Sequence, residues 1–193
     1  MTNFSFHEFD VKAEIDCLQD LIGTRVGNIH QLDKDTILIK FWRMGFSRNL
    51  LIENGRRFHM TEFPRQKPKT PPAFCVRLRN FLRYRRLDDI RQPGNDRAVC
   101  FIFGELVLSI ELFHAGNIVL FNSTDLTILA VLRYHVISGT TIIGVNQPYN
   151  WDQFDDRDYI PHTDEQIRQF FIDNQADDRK LARRISRQFL PYY

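Results

Sequence analysis

Basic residues concentrate in one stretch of this 193-residue chain. Residues 56–97 hold twelve Lys or Arg against four Asp or Glu, a net charge of +8, whereas the rest of the chain holds 14 basic and 20 acidic residues, a net charge of −6. Such asymmetry concentrates positive potential in one region, as a surface that contacts phosphate groups requires. A solvated basic face has the same composition, so charge alone does not decide between the two.

Three arginines in this stretch give a sharper signal. After a loop with four prolines over residues 64–72, a helix is predicted from Pro71 or Pro72 to about Arg86, because proline suits a first helical turn. Its apolar residues recur at helical spacing: Phe74, Leu78, Phe81 and Leu82. Residues spaced i, i+4 and i+7 lie on one face of a helix. The pattern therefore predicts one face with three phosphate-binding candidates: Arg79, Arg83 and Arg86.

Other reactive residue types form no recognisable site. The three cysteines include no C-x-x-C pair, and each falls in an apolar-patterned segment, which predicts reduced core thiols in a cytosolic or nuclear protein: Cys17, Cys75 and Cys100. The six histidines are too scattered for a zinc site. No phosphate-binding loop, dinucleotide fingerprint or nucleophile elbow is visible. We therefore expect no catalytic residues, no cofactor and no metal.

The elements that position the basic residues begin with a helix over about Glu8 to Ile22, where four apolar residues recur at helical spacing before Gly23: Val11, Ile15, Leu18 and Ile22. The period then changes to that of strands. Four strands are predicted, over residues 25–32, 36–42, 49–52 and 57–63. Turn-type residues separate them at 33–35 and 45–48.

Five further short strands are predicted after the basic helix, over residues 87–92, 97–103, 106–113, 117–121 and 126–132. Their tight links indicate antiparallel hairpins. An irregular surface connection is expected over residues 149–162, followed by helices over 164–174 and 178–189. The expected fold class is α+β: an N-terminal helix, a mostly antiparallel β body with one inserted basic helix, and short C-terminal helices.

Composition excludes disorder and a helical membrane span. With 43% hydrophobic and 13% aromatic residues the chain can bury an ordinary core, and disorder needs low hydrophobicity with high net charge. No apolar run approaches the roughly 20 residues that cross a bilayer. The N-terminal residues lack the features of a signal peptide. We expect a cytoplasmic protein, which could also enter the nucleus, without a membrane partner.

Three ordered stretches resemble the N-terminal domain of the NFACT family. The first is residues 53–63 (ENGRRFHMTEF) and the second is residues 78–87 (LRNFLRYRRL). The third combines residues 94–99 (GNDRAV) with residues 111–120 (ELFHAGNIVL). The resemblance covers roughly residues 4–135. It implies an NFACT N-terminal domain over residues 1–160 and, over residues 161–193, the truncated start of a helix-hairpin-helix domain.

The resemblance implies RNA binding in ribosome quality control. Such factors bind the large ribosomal subunit that still carries peptidyl-tRNA, recruit charged tRNA and support template-free C-terminal tailing of the nascent chain. In eukaryotes they also help a ubiquitin ligase engage the complex. Because the ribosome makes the peptide bond, the domain is expected to position tRNA and not to be an enzyme. The family's acidic residue and Asp-Arg pair for tailing fall on Asp10, Asp96 and Arg97.

Each of these residues also has a purely structural interpretation. Arg97 can bind a phosphate or a base edge bidentately, and Asp96 can accept hydrogen bonds from a base, a ribose or an amine. The alternative is a local ion pair worth about 0–1 kcal/mol. Asp10 could instead be a first-turn carboxylate stabilised by the helix N-terminus. Arg57 and His59 are further RNA candidates that could simply pack and pair at a strand end.

The chain also departs from the family pattern. His7 stands where many members have a Ser or Thr helix cap, and Cys100 replaces an acid that is often found there. His114 and Ala115 replace an Asp-Arg pair, so any function of that arginine is absent. Two further residues in this stretch, Glu111 and Asn117, are expected to tie the loop backbone.

Two other function classes remain as alternatives. The family fold is expected to resemble the N-terminal domain of formamidopyrimidine-type DNA glycosylases, which suggests a glycosylase-like nucleic-acid-binding domain. Those enzymes attack with an N-terminal proline followed by glutamate, whereas this chain begins Met1-Thr2-Asn3. The other alternative is an adhesin-type protein-interaction module, because some bacterial relatives are labelled fibronectin-binding. No secretion signal supports it.

Overall fold

The computed structural model describes residues 6–94, 96–137 and 141–154. These residues form two α-helices, two antiparallel sheets of four and five strands, and a short two-stranded hairpin. The expected α+β class is confirmed. The likeness to glycosylases stays a prediction. The expected helices over 164–174 and 178–189, and the domain that was expected from residue 161, lie outside the described residues.

Helix α1 spans Glu8–Cys17 and is followed by a 3₁₀ turn over Gln19–Leu21. Its predicted apolar stripe is confirmed, because Val11 and Ile15 are buried in the main core. The backbone tightens after Cys17, so the α-helix is shorter than predicted. Cys17 itself is exposed. The prediction of a core thiol is therefore wrong for Cys17 and confirmed for Cys75 and Cys100, which are buried.

Sheet 1 is a meander in the order β1-β2-β3-β4. Its strands are β1 Arg25–Gln31, β2 Thr36–Arg43, β3 Phe46–Glu53 and β4 Arg57–Thr61. The turn predicted at 45–48 is present but shorter, because the chain reverses at Met44 and Gly45 and pairing resumes at Phe46, opposite Arg43. Alternate residues of β2 and β3 enter the main core: Ile37, Ile39 and Phe41, then Leu50 and Ile52.

Helix α2 spans Ala73–Leu82 and ends four residues before the predicted end at Arg86. Tyr84 adopts a left-handed backbone with φ of +66°, and the following residues pair with the start of β1 instead of continuing the helix. The Tyr84 N–H donates to the Val26 carbonyl (2.8 Å) and the Leu87 N–H to the Thr24 carbonyl (2.8 Å). Arg86 is therefore not helical, and the prediction of a shared helical face with Arg79 and Arg83 is wrong.

Sheet 2 follows the order β5-β6-β7-β8-β9, and all its neighbouring strands are antiparallel as predicted. Its strands are β5 Asp89–Arg91, β6 Ala98–Phe103, β7 Leu106–Glu111, β8 Asn117–Asn122 and β9 Ile128–Val131. One face packs in the main core with both helices and sheet 1. A hairpin that sequence patterns did not reveal follows: β10 His135–Ile137 and β11 Thr141–Ile143.

The second face of sheet 2 is covered by aromatic residues from the chain after β11. Tyr149 stacks on Phe121 with ring centroids 4.2 Å apart, and Phe154 packs edge-on to Phe113. The prediction of a surface connection from residue 149 is therefore wrong for Tyr149 and Phe154, which are buried. The physical reason is that β6, β7 and β8 are apolar on both faces, so the second face also requires burial.

Candidate functional site

The two sheets meet where the β3–β4 turn touches the β7–β8 turn. Gly55 and Gly116 both have positive φ, +70° and +71°. A Cβ atom on Gly116 would lie 2.2 Å from the Gly55 Cα, so the contact requires glycine on both sides. The Asn54 Nδ2 atom donates to the Gly116 carbonyl at 3.3 Å. We call Asn54, Gly55, Ala115 and Gly116 the turn junction.

An arginine from a third segment fastens the turn junction. The Arg133 guanidinium donates to the Ala115 carbonyl (2.5 Å) and to the Asp35 carboxylate (2.6 Å). Asn117 exchanges hydrogen bonds with the Arg133 backbone, donating at 3.1 Å and accepting at 3.0 Å. The expected structural part for Asn117 is confirmed. Asp35 and Arg133 belong to no sequence motif. Their role is visible only in the structure, because they are 98 residues apart in sequence.

The start of helix α1 lies beside the Asp-Arg pair. A single amide joins them, because Gln92 Nε2 donates to the Glu8 carbonyl (3.1 Å) and to the Asp96 carbonyl (2.8 Å). The Asp10 carboxylate accepts the His7 N–H at 2.8 Å, which caps the helix. The structure therefore brings the regions of Asp10 and Asp96 close together. Asp10 also makes the helix-capping contact that its structural interpretation predicts.

Asp96 and Arg97 are half-buried and bonded to the backbone around them. The Asp96 carboxylate accepts the Arg97 N–H at 2.7 Å, and the Arg97 Nη2 donates to the Leu112 carbonyl at 2.7 Å. The Leu112 N–H donates in return to the Arg97 carbonyl at 2.8 Å. Arg97 thus ties the turn before β6 to the end of β7.

A polar cavity of about 560 Å³ opens between Asp96 and the turn junction. Its polar lining comes from sheet 2 and its turns, from the β10–β11 hairpin and from the segment after β11: Asp96, Glu111, His114, Asn117, His135, Asn150 and Gln153. This volume lies within the roughly 300–1,000 Å³ of small-molecule pockets. The cavity can therefore hold a group of the size and polarity of a nucleobase.

Glu111 is a buried carboxylate at the wall of this cavity. It accepts a hydrogen bond from the Tyr149 hydroxyl (2.7 Å) and one from Gln153 Nε2 (3.3 Å). Burial raises the pKa of Glu111, while these two hydrogen bonds act in the opposite direction. Its partners are side chains of the later segment, so the expectation that Glu111 ties the loop backbone is wrong.

The basic candidates are spread over several places. Arg57 pairs with Glu53 through Nε and Oε2 at 2.9 Å, and His59 Nδ1 lies 2.9 Å from the Met60 carbonyl oxygen. Arg79 Nε donates to the Ile29 carbonyl at 2.6 Å and helps to close the edge of sheet 1. These contacts give all three a structural part. RNA binding by Arg57, His59 and Arg79 stays a prediction.

Arg83 and Arg86 belong instead to an exposed group around Tyr84. The Arg83 guanidinium lies 5.2 Å from the centre of the Tyr84 ring. Arg25 Nη1 donates to the Tyr84 carbonyl at 2.9 Å, and Arg25 forms a β-bridge with Arg86. We call the four exposed arginines here the arginine cluster: Arg25, Arg83, Arg85 and Arg86. Arg25 lies far away in sequence, so the helical pattern could not reveal it.

The described ranges offer neither a metal site nor a membrane-spanning helix. Within residues 6–94, 96–137 and 141–154, no three His, Cys, Asp or Glu side chains are grouped so that they could hold a metal ion. In the same part of the chain, no helix has the length and apolar character needed to cross a membrane. The expected absence of a cofactor stays a prediction.

Comparison with known proteins identifies the family. A family model described as the NFACT N-terminal and middle domains matches residues 8–190. The chain belongs to the NFACT family. The three stretches that pointed to NFACT lie within the matched range. Two of them form the turn junction, the Asp-Arg pair and the wall of the cavity.

Relatives of this NFACT chain include proteins of ribosome quality control. The ribosome quality control complex subunit NEMF homolog of Drosophila melanogaster is 38% identical over 136 residues, which cover 67% of this chain and 14% of that protein. The ribosome quality control complex subunit NEMF of Homo sapiens is 39% identical over 134 residues, which cover 67% of this chain and 12% of that protein. The NFACT chain thus spans a small part of the length of these relatives.

A solved structure shares the fold. The N-terminal part of the fibronectin/fibrinogen-binding protein from Streptococcus suis matches with a TM-score of 0.72 at 22% identity, covering 86% of this chain and 69% of that one. At this identity the likeness shows the fold alone. The NFACT chain and the streptococcal protein therefore share an architecture.

Proposed function

We propose that this NFACT chain is the RNA-binding domain of a ribosome quality control factor. In this proposal it binds tRNA on the stalled large ribosomal subunit and supports template-free C-terminal tailing of the nascent chain. Its partners are the large subunit with peptidyl-tRNA, the tRNA and, in a eukaryote, the ubiquitin ligase of the quality control complex. The protein acts in the cytoplasm, without a membrane partner.

The position of Asp96 carries the proposal. Asp96 lines the polar cavity, and its backbone carbonyl shares the Gln92 amide with the first residue of helix α1. A carboxylate at the edge of such a cavity can accept hydrogen bonds from a base or a ribose hydroxyl. The names of the relatives support a part in ribosome quality control. The site therefore suits the recognition of an unpaired nucleotide of tRNA.

The arginine cluster supplies the electrostatic part of the proposal. Phosphate contacts provide affinity and orientation, whereas contacts to base edges provide specificity. Four exposed guanidinium groups around Tyr84 suit the first task, and the cavity suits the second. The domain would position tRNA and would not be an enzyme, since the ribosome forms the peptide bond.

Substitution of Asp96 in the full-length protein tests the proposal. Asp96→Asn keeps an oxygen that can accept the Arg97 N–H and removes the charge, so the turn should persist while tailing of stalled chains falls at least tenfold. Tailing is measured as the mass shift of a stalled reporter, and tRNA occupancy by recovery of RNA crosslinked to the protein.

Asp125→Asn is the matched control. The Asp125 carboxylate also accepts an N–H of its own turn, from Thr127 at 2.9 Å, but it lies between β8 and β9 outside the lining of the cavity. We expect this variant to tail normally. If Asp96→Asn tails normally, the charge of the Asp96 carboxylate is not part of the functional site.

A further inference from the structure

A second groove lies on the outer face of sheet 1 and shares no lining residue with the cavity at Asp96. Its volume is about 810 Å³. We call it the indole groove, because Trp42 is its large aromatic residue. The other functional groups that line it include two amides and three cations: Asn28, Asn49, Lys40, Arg43 and Lys67.

The backbone of sheet 1 is shaped to accommodate the indole. Trp42 lies opposite Arg25 in β1 and Ser47 in β3. The pairing of β1 with β2 shifts register between Val26 and Asn28, and Gly27 lies at this bulge. A Cβ atom on Gly27 would lie 2.9 Å from the indole Cδ1. The missing side chain therefore leaves the space in which Trp42 lies against the sheet.

Trp42 remains 40% exposed although it is large and apolar. An aromatic ring held against a strand and partly open to water loses little conformational entropy when a planar group stacks on its exposed part. An exposed aromatic on a β surface, with cations beside it, is the arrangement with which proteins stack single-stranded bases. The sequence carried no motif for this position, because the register of three strands creates it.

The charge of the groove has one sign. None of its described lining residues is a carboxylate, whereas three are cationic: Lys40, Arg43 and Lys67. The guanidinium groups of Arg43 and Arg48 lie 4.7 and 4.9 Å from the centre of the Phe46 ring, which holds them at the groove end. Burial lowers the pKa of His30, and the charges of Lys67 and Arg79 lower it further. The groove is therefore an electropositive environment.

We propose that the indole groove binds a short single-stranded RNA segment, with a base stacked on Trp42 and neighbouring phosphates on Lys40, Arg43 and Lys67. A duplex hides its base faces, so it could use the cations but not the indole. An acidic peptide would leave the exposed indole surface unused. This inference rests on the proposed role in RNA binding but uses a different set of residues.

The test uses the 193-residue chain with Trp151→Phe, so that Trp42 is the only tryptophan. The probes are a fluorescein-labelled oligouridylate, a blunt RNA duplex of equal length and a polyglutamate of equal charge. We expect the single strand to quench Trp42 fluorescence and to bind at least tenfold more tightly than the duplex. Trp42→Ala should weaken single-strand binding by roughly 5- to 150-fold, the range for loss of one stacked base.

Two controls keep the test sharp. Phe63→Ala removes an aromatic side chain that is 78% exposed outside the groove and should leave binding unchanged. Trp42→Phe keeps an aromatic face and should retain most of the affinity, and thermal melts establish that each variant is folded. Unchanged affinity in folded Trp42→Ala, or equal quenching by the duplex or polyglutamate, would overturn the proposal.

The two proposals fail separately. If Asp96→Asn tails normally while single-strand binding still depends on Trp42, tRNA positioning at the cavity is wrong and the indole groove stands. If Asp96→Asn abolishes tailing while Trp42→Ala binds the single strand normally, the cavity stands and the indole groove is overturned.

Discussion

The turn junction and the arginine cluster differ in how far their polar side chains are exposed to solvent. At the junction, Asn54 and Arg133 donate hydrogen bonds to backbone carbonyls, and Arg133 also donates to the Asp35 carboxylate. In the arginine cluster, the guanidinium groups are exposed around Tyr84. Two of the three motif stretches of this chain, residues 53–63 and residues 94–99 with 111–120, build the meeting of the two sheets. The third, residues 78–87, instead places charged groups that can contact a ligand on the surface.

This contrast has an energetic consequence. The close backbone contact at the junction depends on steric fit, which salt does not change. Extra atoms in a well-packed region lower the free energy of unfolding by about 1–3 kcal/mol. Exposed arginines depend on Coulomb attraction, which falls off within about 10 Å at 0.1 M salt. Damage to the junction should therefore appear as lost stability, and damage to the cluster as lost, salt-sensitive RNA affinity.

The largest effect should come from a single methyl group at the junction. Gly116→Ala places a Cβ atom only 2.2 Å from the Gly55 Cα atom. It also places alanine in a left-handed backbone conformation, which alanine disfavours. We expect a loss of about 3–5 kcal/mol in the free energy of unfolding. Urea denaturation followed by circular dichroism measures it.

Gly104→Ala separates the two causes. Gly104 has φ of +67°, close to that of Gly116, but nothing lies within 4 Å of its Cβ position. Its cost should be the backbone strain alone, about 1–2 kcal/mol. Equal losses for the two variants would mean that the close approach of the two turns adds no steric cost to the backbone strain.

An intermediate effect is expected at the arginine cluster. The double variant Arg83→Glu/Arg86→Glu should lower tRNA affinity at least tenfold at 0.1 M salt without lowering the melting temperature by more than a few degrees. Because each lost phosphate contact reduces the slope of log K against log salt by about 0.7–0.9, the slope should become shallower by roughly 1.5. Fluorescence anisotropy over a salt series measures both quantities.

The control for this variant is Lys34→Glu, a charge reversal at an exposed lysine in the β1–β2 turn, outside the basic stretch. It should leave the salt slope unchanged. If the arginine double variant keeps the wild-type slope, the cluster does not contact phosphate and the difference between the two regions disappears.

Much of the fold was predictable because its information is local. Alternating apolar residues and tight Gly-containing turns gave the nine strands of both sheets, and helical spacing gave the core face of α1. Asn117 was correctly assigned a structural part, although the backbone that it binds is that of Arg133, after β9, and not that of its own turn. In these places the local signal and the tertiary structure agree.

What the sequence did not reveal depends on distant partners. The end of α2 is set by backbone hydrogen bonds from Tyr84 and Leu87 to residues of a segment about 60 positions earlier. From the sequence, Tyr149 was predicted to lie in a surface connection. In the structure it packs on Phe121 and helps to cover the second apolar face of sheet 2. Gln92, which links helix α1 to Asp96, lies in no motif. Pattern spacing within one element cannot reveal any of these contacts.

The smallest expected effect concerns Asp10, which could have a structural role, a functional role or both. It caps helix α1, and the start of that helix lies close to the Asp96 region. Asp10→Asn keeps an oxygen for the His7 N–H but loses the favourable interaction of a charge with the helix N-terminus. We expect a stability loss of about 0.3–1 kcal/mol. Thermal denaturation and the tailing assay on the full-length protein measure the two properties separately.

Asp16→Asn completes this comparison at the other end of helix α1. Asp16 is exposed in the last turn, where a negative charge opposes the helix dipole, so its neutralisation should raise stability by a similar few tenths of a kcal/mol and leave tailing unchanged. If Asp10→Asn loses stability by the expected amount and tails normally, Asp10 is a helix cap and belongs with the turn junction. Tailing that falls tenfold or more at nearly unchanged stability would place its charge in the functional site with Asp96, because so small a loss of folded protein cannot explain it.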